Sequence, residues 1–270
     1  MNPDKPVNCG KRGDDRFGRL LVAHRGAQAE APENTYAAFE KAIQRGADGI
    51  ELDIQLTADG VPIVFHDNTL SRIFGIDRPV TSFTIDEISG FDAGKWFSPA
   101  FVGEPIPTLE GVFQRYAGKT ALLIEIKSLP FWGERLEHRK DAALAVTNMI
   151  RRMAPGEKAD RIFVLSFDQS ILDIVRLEAP GIKRIRNLDV LDGMHPYLPG
   201  RNRDLFAYGL DKAGLSTDIV KAAHEQGCRV MAYSFNTCRE IHSALNSGVD
   251  IVLTDDPSAT VGYFRAGQGS

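Results

Sequence analysis

The order of apolar and amphipathic stretches predicts an α/β chain, folded as a (β/α)8 TIM barrel with a small insertion after the second barrel strand's hairpin. Three observations predict it. Eight short apolar runs alternate with stretches of helical spacing along 270 residues, and a single barrel of this class takes about 250 residues. No glycine-rich turn follows the first run, as a dinucleotide-binding open sheet would need. Charged residues cluster where several of the runs end, and barrel strands open onto their functional face at that end.

The elements follow in order. Residues 1–18 read as a flexible lead-in, 19–260 as the barrel and 261–270 as a tail. Leu20–His24 is an apolar run ending in charge, a buried strand emptying into a loop. Tyr36, Phe39, Ala42 and Ile43 have helical spacing, with Asn34 or Thr35 as the N-cap and Gly46 as the stop. Asp48–Leu56 is the second strand. Ala58-Asp59-Gly60 then signals a tight turn, so Val61–Phe65 returns antiparallel and is no barrel strand of its own. Residues 68–107, rich in glycine and proline, form the insertion, with one helical piece at Thr84–Ile88. Leu109–Tyr116 is a helix.

From there the alternation is regular. Strands are expected at Thr120–Lys127, Arg161–Leu165, Ile182–Arg186, Asp204–Tyr208, Arg229–Tyr233 and Asp250–Leu253. Helices are expected at Arg135–Met153, Gln169–Glu178, Thr217–Gln226 and Cys238–Ser247.

Composition narrows the function. With 43% hydrophobic and 25% charged residues the chain is ordinarily globular. A net charge of -4 gives no basic footprint for nucleic acid. Cys9, Cys228 and Cys238 have no metal-like spacing, and an odd count argues against a disulfide scaffold. The first twenty residues carry no apolar signal-peptide core, and no run is long enough to span a membrane. A cytoplasmic protein is the default, with a cleaved upstream segment left open.

Glu51 and Asp53 flank Leu52, so on a strand both carboxylates point to one face. Their repulsion needs a proton, a cationic side chain or a metal. Glu125 and Lys127 flank Ile126 in the same way on the next barrel strand. Three carboxylates converging there suit a hard divalent cation, Mg²⁺ or Ca²⁺, while each pair alone suits solvated surface charge. His24 and His66 each end a strand beside a charged neighbour, which suits a proton donor and a proton acceptor. Arg25 and Lys127 either balance the carboxylates or bind phosphate oxygens. Together these groups fit phosphoryl transfer. No Walker loop or kinase signature points to a nucleoside triphosphate. Trp96, Phe97 and Phe101 either pack the insertion or meet lipid at the pocket mouth. His138, His195, His224 and His242 lack nearby carboxylates and receive no role, and Cys228 reads as core.

These residues resemble the glycerophosphodiester phosphodiesterase family. The likeness rests on His24-Arg25-Gly26, Glu33-Asn34-Thr35, Gly49-Ile50-Glu51-Leu52-Asp53, Asp59-Gly60 and His66-Asp67. It continues in Asp92-Ala93-Gly94-Lys95-Trp96-Phe97, Ile106-Pro107-Thr108-Leu109-Glu110, Glu125-Ile126-Lys127, Gly248-Val249-Asp250 and Thr254-Asp255, and so covers residues 19–257. The resemblance implies hydrolysis of a small-molecule glycerophosphodiester to glycerol 3-phosphate and an alcohol, with a divalent metal. It implies Glu51, Asp53 and Glu125 as metal ligands, His24 and His66 as acid and base, and Arg25 and Lys127 as phosphate contacts. The family's usual Trp-Thr-Val-Asn is here Tyr233-Ser234-Phe235-Asn236, so Tyr233 is the expected aromatic wall of the substrate pocket. The alternatives are a lysophospholipase D-like activity on lysophospholipids and a non-catalytic barrel that binds phosphorylated ligands. Water and a substrate hydroxyl both stand as the nucleophile.

Overall fold

A computed structural model describes residues 18–128, 136–189, 198 and 205–267. The expected lead-in up to residue 17, with Cys9, and the unassigned His195 lie outside the described residues. The strands are β1 (Leu20–Ala23), β2 (Gly49–Leu56), β3 (Pro62–Val64), β4 (Thr69–Leu70), β5 (Ile76–Pro79), β6 (Ala121–Ile126), β7 (Ile162–Ser166), β8 (Lys183–Leu188), β9 (Ala207–Asp211), β10 (Arg229–Tyr233) and β11 (Ile251–Thr254). The helices are α1 (Tyr36–Gln44), α2 (Ser71–Phe74), α3 (Ile85–Ile88), α4 (Leu109–Tyr116), α5 (Leu136–Met153), α6 (Gln169–Glu178), α7 (Thr217–Glu225), α8 (Cys238–Asn246) and α9 (Pro257–Ala266).

Eight parallel strands close on themselves in the order β1-β2-β6-β7-β8-β9-β10-β11. The seam is sealed because β1 pairs with β11, Val22 against Leu253, and with β2, Ala23 against Ile50. Every residue of β2 is buried, as expected of a parallel strand covered on both faces. Alternate residues divide the core in two. Leu52, Ile54, Ile124 and Val164 pack outward against the helices. Val22, Leu123, Phe163, Leu165, Ile185, Met231 and Leu253 fill the barrel.

Local chemistry sets the element ends. Thr35 caps α1, its side chain accepting from the Ala38 amide at 3.3 Å. Gly46 takes φ +87°, where a side chain would be strained, and turns the chain into β2. Thr84 with Glu87, and Thr237 with Glu240, form capping boxes at α3 and α8. The turn after β2 is held by the Val61 amide donating to Thr57 Oγ1 at 2.9 Å, and β3 returns antiparallel with Val64 opposite Ile54.

The insertion has its own apolar centre of Ile63, Phe65, Leu70, Val80, Phe83, Ile88, Ala93 and Ile106. It also contains an antiparallel pair, β4 with β5, that sequence patterning did not resolve, because strands of two and four residues carry too little alternation to read. Trp96, Phe97 and Phe101 pack edge to face along the insertion, at 5.8 and 5.5 Å between rings.

Two boundaries and one contact differ from the sequence reading. The strand expected at Asp204–Tyr208 lies at Ala207–Asp211, because Gly209 sits inside it instead of ending it. A Cβ there would stand 2.1 Å from Asn187 Oδ1, so the glycine makes room for a neighbouring strand's side chain. The helix α9 crosses residue 260, where the tail was expected to begin; Asp256 caps it and Pro257 opens it. His224 does have a carboxylate partner, Asp250 Oδ2 at 2.8 Å, which also accepts from the Val230 amide. That contact ties α7 to the strand starts, the end of the barrel away from His24 and Glu125. Cys228 is buried, as expected. No helix among the described residues is long and apolar enough to cross a membrane.

Candidate active site

The carboxyl ends of β1, β2 and β6 bring the charged residues together. Asp53 stands directly opposite Glu125 in the parallel register, and Glu51 lies two residues earlier on the same inward face. Ligand oxygens of Glu51, Asp53 and Glu125 all lie within 4.8 Å of one another, and all three residues are buried. They line a cavity of about 150 Å³ together with His24, Arg25, His66, Lys127 and Tyr233. Every site residue named from the sequence therefore faces one space.

Cations knit the acids. Lys127 Nζ donates to Glu125 Oε1 at 2.6 Å and sits 2.8 Å from Asp53 Oδ1. Arg25 donates from its backbone amide to Glu51 Oε2 at 3.0 Å, while its Nε lies 3.4 Å from Asp53 Oδ2 and its Nη1 donates to Glu33 Oε1 at 3.0 Å. That amide is aimed inward by an unusual backbone: Arg25 has φ +54°. Gly26 follows at φ +80°, and a Cβ on it would stand 2.7 Å from the Ala38 backbone.

The electrostatics are uneven. Burial, then the Asp53 and Glu125 carboxylates, pushes the Glu51 pKa well above the usual carboxylate range. Burial acts on Asp53 in the same direction, but Lys127 and Arg25 outweigh it and hold that pKa low. Burial opposes the charge on Lys127, and Asp53 and Glu125 more than offset it. One acid thus lacks a full counter-charge.

The donor set fits a hard divalent cation. All three candidate ligands are carboxylates, and a cation between them would relieve the Glu51 charge. Asn187 adds an oxygen to the same wall. Its Nδ2 donates to Glu125 Oε2 at 3.2 Å, leaving Oδ1 buried without a hydrogen-bond partner.

Each histidine is held by a carboxylate at Nδ1. His24 Nδ1 lies 2.8 Å from Asp255 Oδ1, and His66 Nδ1 lies 2.8 Å from Asp67 Oδ1. A carboxylate at Nδ1 fixes the proton there and leaves Nε2 for chemistry. Asp255 is braced in turn by Gln28 Nε2 at 2.6 Å and Asn236 Nδ2 at 2.7 Å. Burial works to raise its pKa, yet the bonds from His24, Asn236 and Gln28 bring it down to about 2. The hairpin is what delivers His66: the Phe65 amide donates to the Asp53 carbonyl at 2.9 Å, so the next residue hangs over the acids. Tyr233 lies nearly parallel to the His24 ring, 6.4 Å between centroids.

A model of the glycerophosphoryl diester phosphodiesterase family matches residues 24–259. The chain belongs to that family. It is 32% identical over 249 residues to a glycerophosphodiester phosphodiesterase of Caldanaerobacter subterraneus subsp. tengcongensis, covering 92% of this chain and 98% of that one. A glycerophosphodiester phosphodiesterase structure from Agrobacterium tumefaciens superposes with a TM-score of 0.73 at 29% identity, covering 92% of this chain and 99% of that one. A phosphodiesterase of Oleispira antarctica, solved in complex with its product sn-glycerol-3-phosphate, has a TM-score of 0.80 at 24% identity over 94% of this chain and 98% of that one. That last likeness shows the shared fold.

For this family member, sequence reasoning named the groups that line the cavity and missed those that hold them. Asp255 was legible in part, since closing a barrel sets the end of its last strand beside the end of its first. Arg72 gave no local signal. It lies in the insertion, yet it donates to both Glu33 and Asp67. Asn34, at φ +57°, donates from Nδ2 to Asp53 Oδ2 at 2.8 Å, although sequence reasoning assigned it a motif position and a cap but no role at the acids.

Proposed function

We propose that the chain hydrolyses glycerophosphodiesters to glycerol 3-phosphate and an alcohol. The observation that carries this reading is the single cavity in which Glu51, Asp53 and Glu125 meet within 4.8 Å, with His24 and His66 in its wall. Glu51, Asp53 and Glu125 would hold a Mg²⁺ or Ca²⁺ ion, which when bound supplies positive charge against the phosphate oxygens. Arg25 and Lys127 add fixed positive charge at the same place. Tyr233 walls the pocket beside His24 and fixes how the substrate lies.

The proton steps belong to the histidines. One takes a proton at Nε2 as the new P–O bond forms, either from the attacking water or from a substrate hydroxyl whose cyclic phosphate water then opens. The other gives its proton to the departing alcohol oxygen as the old P–O bond breaks. Asp255 and Asp67 each stabilise the imidazolium they face and keep the ring from turning. Insulation of the buried acids from solvent strengthens these charge interactions.

The test is release of glycerol 3-phosphate by the purified protein from several deacylated phosphodiesters, with Mg²⁺ or Ca²⁺ and with chelator. Metal-dependent release is expected. Binding without turnover on every headgroup would favour the non-catalytic barrel instead.

A further inference from the structure

A second cavity, of about 640 Å³, opens beside the first and shares His66, Glu125, Lys127 and Phe167 with it. Its own walls include Arg139, Asp168, Gln169, Arg186 and Asp189. Phe167 is the one apolar residue in that wall among the described residues. Most of its charges are already spent. Lys127 and Glu125 are bonded to each other. Asp168 accepts from Arg139 Nη1 at 2.5 Å and from the Ser170 amide and hydroxyl at 2.8 and 2.7 Å. Arg186, within electrostatic reach of Asp168, keeps a donor unspent. Its Nη1 is buried and has no hydrogen-bond partner. A guanidinium cannot shed its charge, so a buried N–H without an acceptor is costly until something supplies one. Asp189 stands exposed on the same wall, an acceptor within electrostatic reach of Arg186.

We infer that this cavity is the subsite for the alcohol half of the substrate, and that Arg186 selects alcohols bearing a hydroxyl or carboxylate acceptor. The inference rests on the phosphodiesterase reading above. The phosphorus would lie at the acid cluster, and the leaving group would extend past His66 and Lys127, two of the residues common to both spaces. A polyol or an amino-acid alcohol offers an oxygen to Arg186 and a hydrogen to Asp189. A trimethylammonium group offers neither an acceptor nor a donor, and Phe167 is the one aromatic ring in that wall among the described residues.

The experiment compares glycerophosphoglycerol and glycerophosphoserine with glycerophosphocholine and a lysophosphatidylcholine, by affinity with chelator present and by kcat/KM with metal. The wild-type protein is expected to prefer the two acceptor-bearing esters at least about tenfold, the effect of one charged hydrogen bond. Arg186→Met should collapse that ratio toward one, Arg186→Lys should keep part of it, and Asp189→Asn should narrow it. Melting temperatures establish that each variant is folded. Equal wild-type affinities for choline and acceptor-bearing esters would overturn the subsite. So would an Arg186→Met protein that stays folded and keeps the ratio. The affinity arm reads the subsite without turnover, so absence of cleavage counts against the phosphodiesterase reading alone.

Discussion

Arg72 grips Asp67 with two hydrogen bonds, Nε to Oδ2 at 2.6 Å and Nη2 to Oδ1 at 3.0 Å, and Asp67 in turn holds His66. The same guanidinium donates to Glu33 Oε2 at 2.9 Å and Oε1 at 2.7 Å, and Glu33 holds Arg25. One insertion residue therefore sets the angle of two cavity residues. Arg72→Gln is expected to lower kcat roughly 10–100-fold, as loss of an orienting partner commonly does. Its partial exposure means the fold survives, so the melting point should move little. Arg72→Lys should recover part of the rate. Unchanged kcat in the glutamine variant would show that the brace is idle.

Asp255→Asn keeps the shape at His24 and removes the charge that favours the Nδ1–H tautomer. A fall in kcat on the order of 10²–10⁴-fold is expected. Steady-state kinetics on one deacylated ester checks it.

The same carboxylate makes stability depend on acidity. Its pKa is about 2 in the folded chain and about 3.9 in an unfolded one. The depressed value means the folded form binds the proton less readily. Its contribution is therefore complete above about pH 4 and disappears as pH falls to about 2. Urea unfolding at pH 5, 3.5 and 2.5 should show the gap between wild type and Asp255→Asn shrinking across that window. A constant gap would contradict the assignment.

Mg²⁺ or Ca²⁺ should raise the melting temperature, because an ion that binds only the folded state at 100 times its Kd adds about 2.7 kcal/mol. Glu51→Gln removes one carboxylate of the cluster. That variant is expected to lose both the metal-induced shift and turnover. Turnover that persists without a metal-induced shift would sink the metal assignment.

Gly209→Ala would place a methyl 2.1 Å from Asn187 Oδ1 and 2.8 Å from Met231 Cε. We expect a loss of about 1–3 kcal/mol of stability from overpacking. Activity should fall too, because Asn187 must swing away from Glu125. Calorimetry and a rate measurement together check the two effects.

Much of this molecule can be read from its residues, and the limits have physical causes. Period-two carboxylates at Glu51 and Asp53, and the turn at Asp59-Gly60, are local signals, and local signals survive in a string of letters. Eight parallel staves follow from alternation and length. The brace from Arg72 to Glu33 spans 39 positions, and the contact from His24 to Asp255 spans 231. No periodicity encodes such distances; packing of the insertion onto the barrel creates the first, and closure of the barrel creates the second. The shift of β9 has a similar origin, since the expected strand stops at Tyr208, before Gly209, which serves as clearance for Asn187 on β8.

The two imidazoles stand on different mechanical footings. His24 belongs to a ring of strands sealed on both flanks, and any displacement of it strains the whole cylinder. His66 rides on a hairpin paired along one edge and anchored in a separate apolar nucleus. His66 therefore takes its position from the insertion, and His24 takes its position from the barrel. The distance between the two rings is thereby set by how the insertion seats on the barrel.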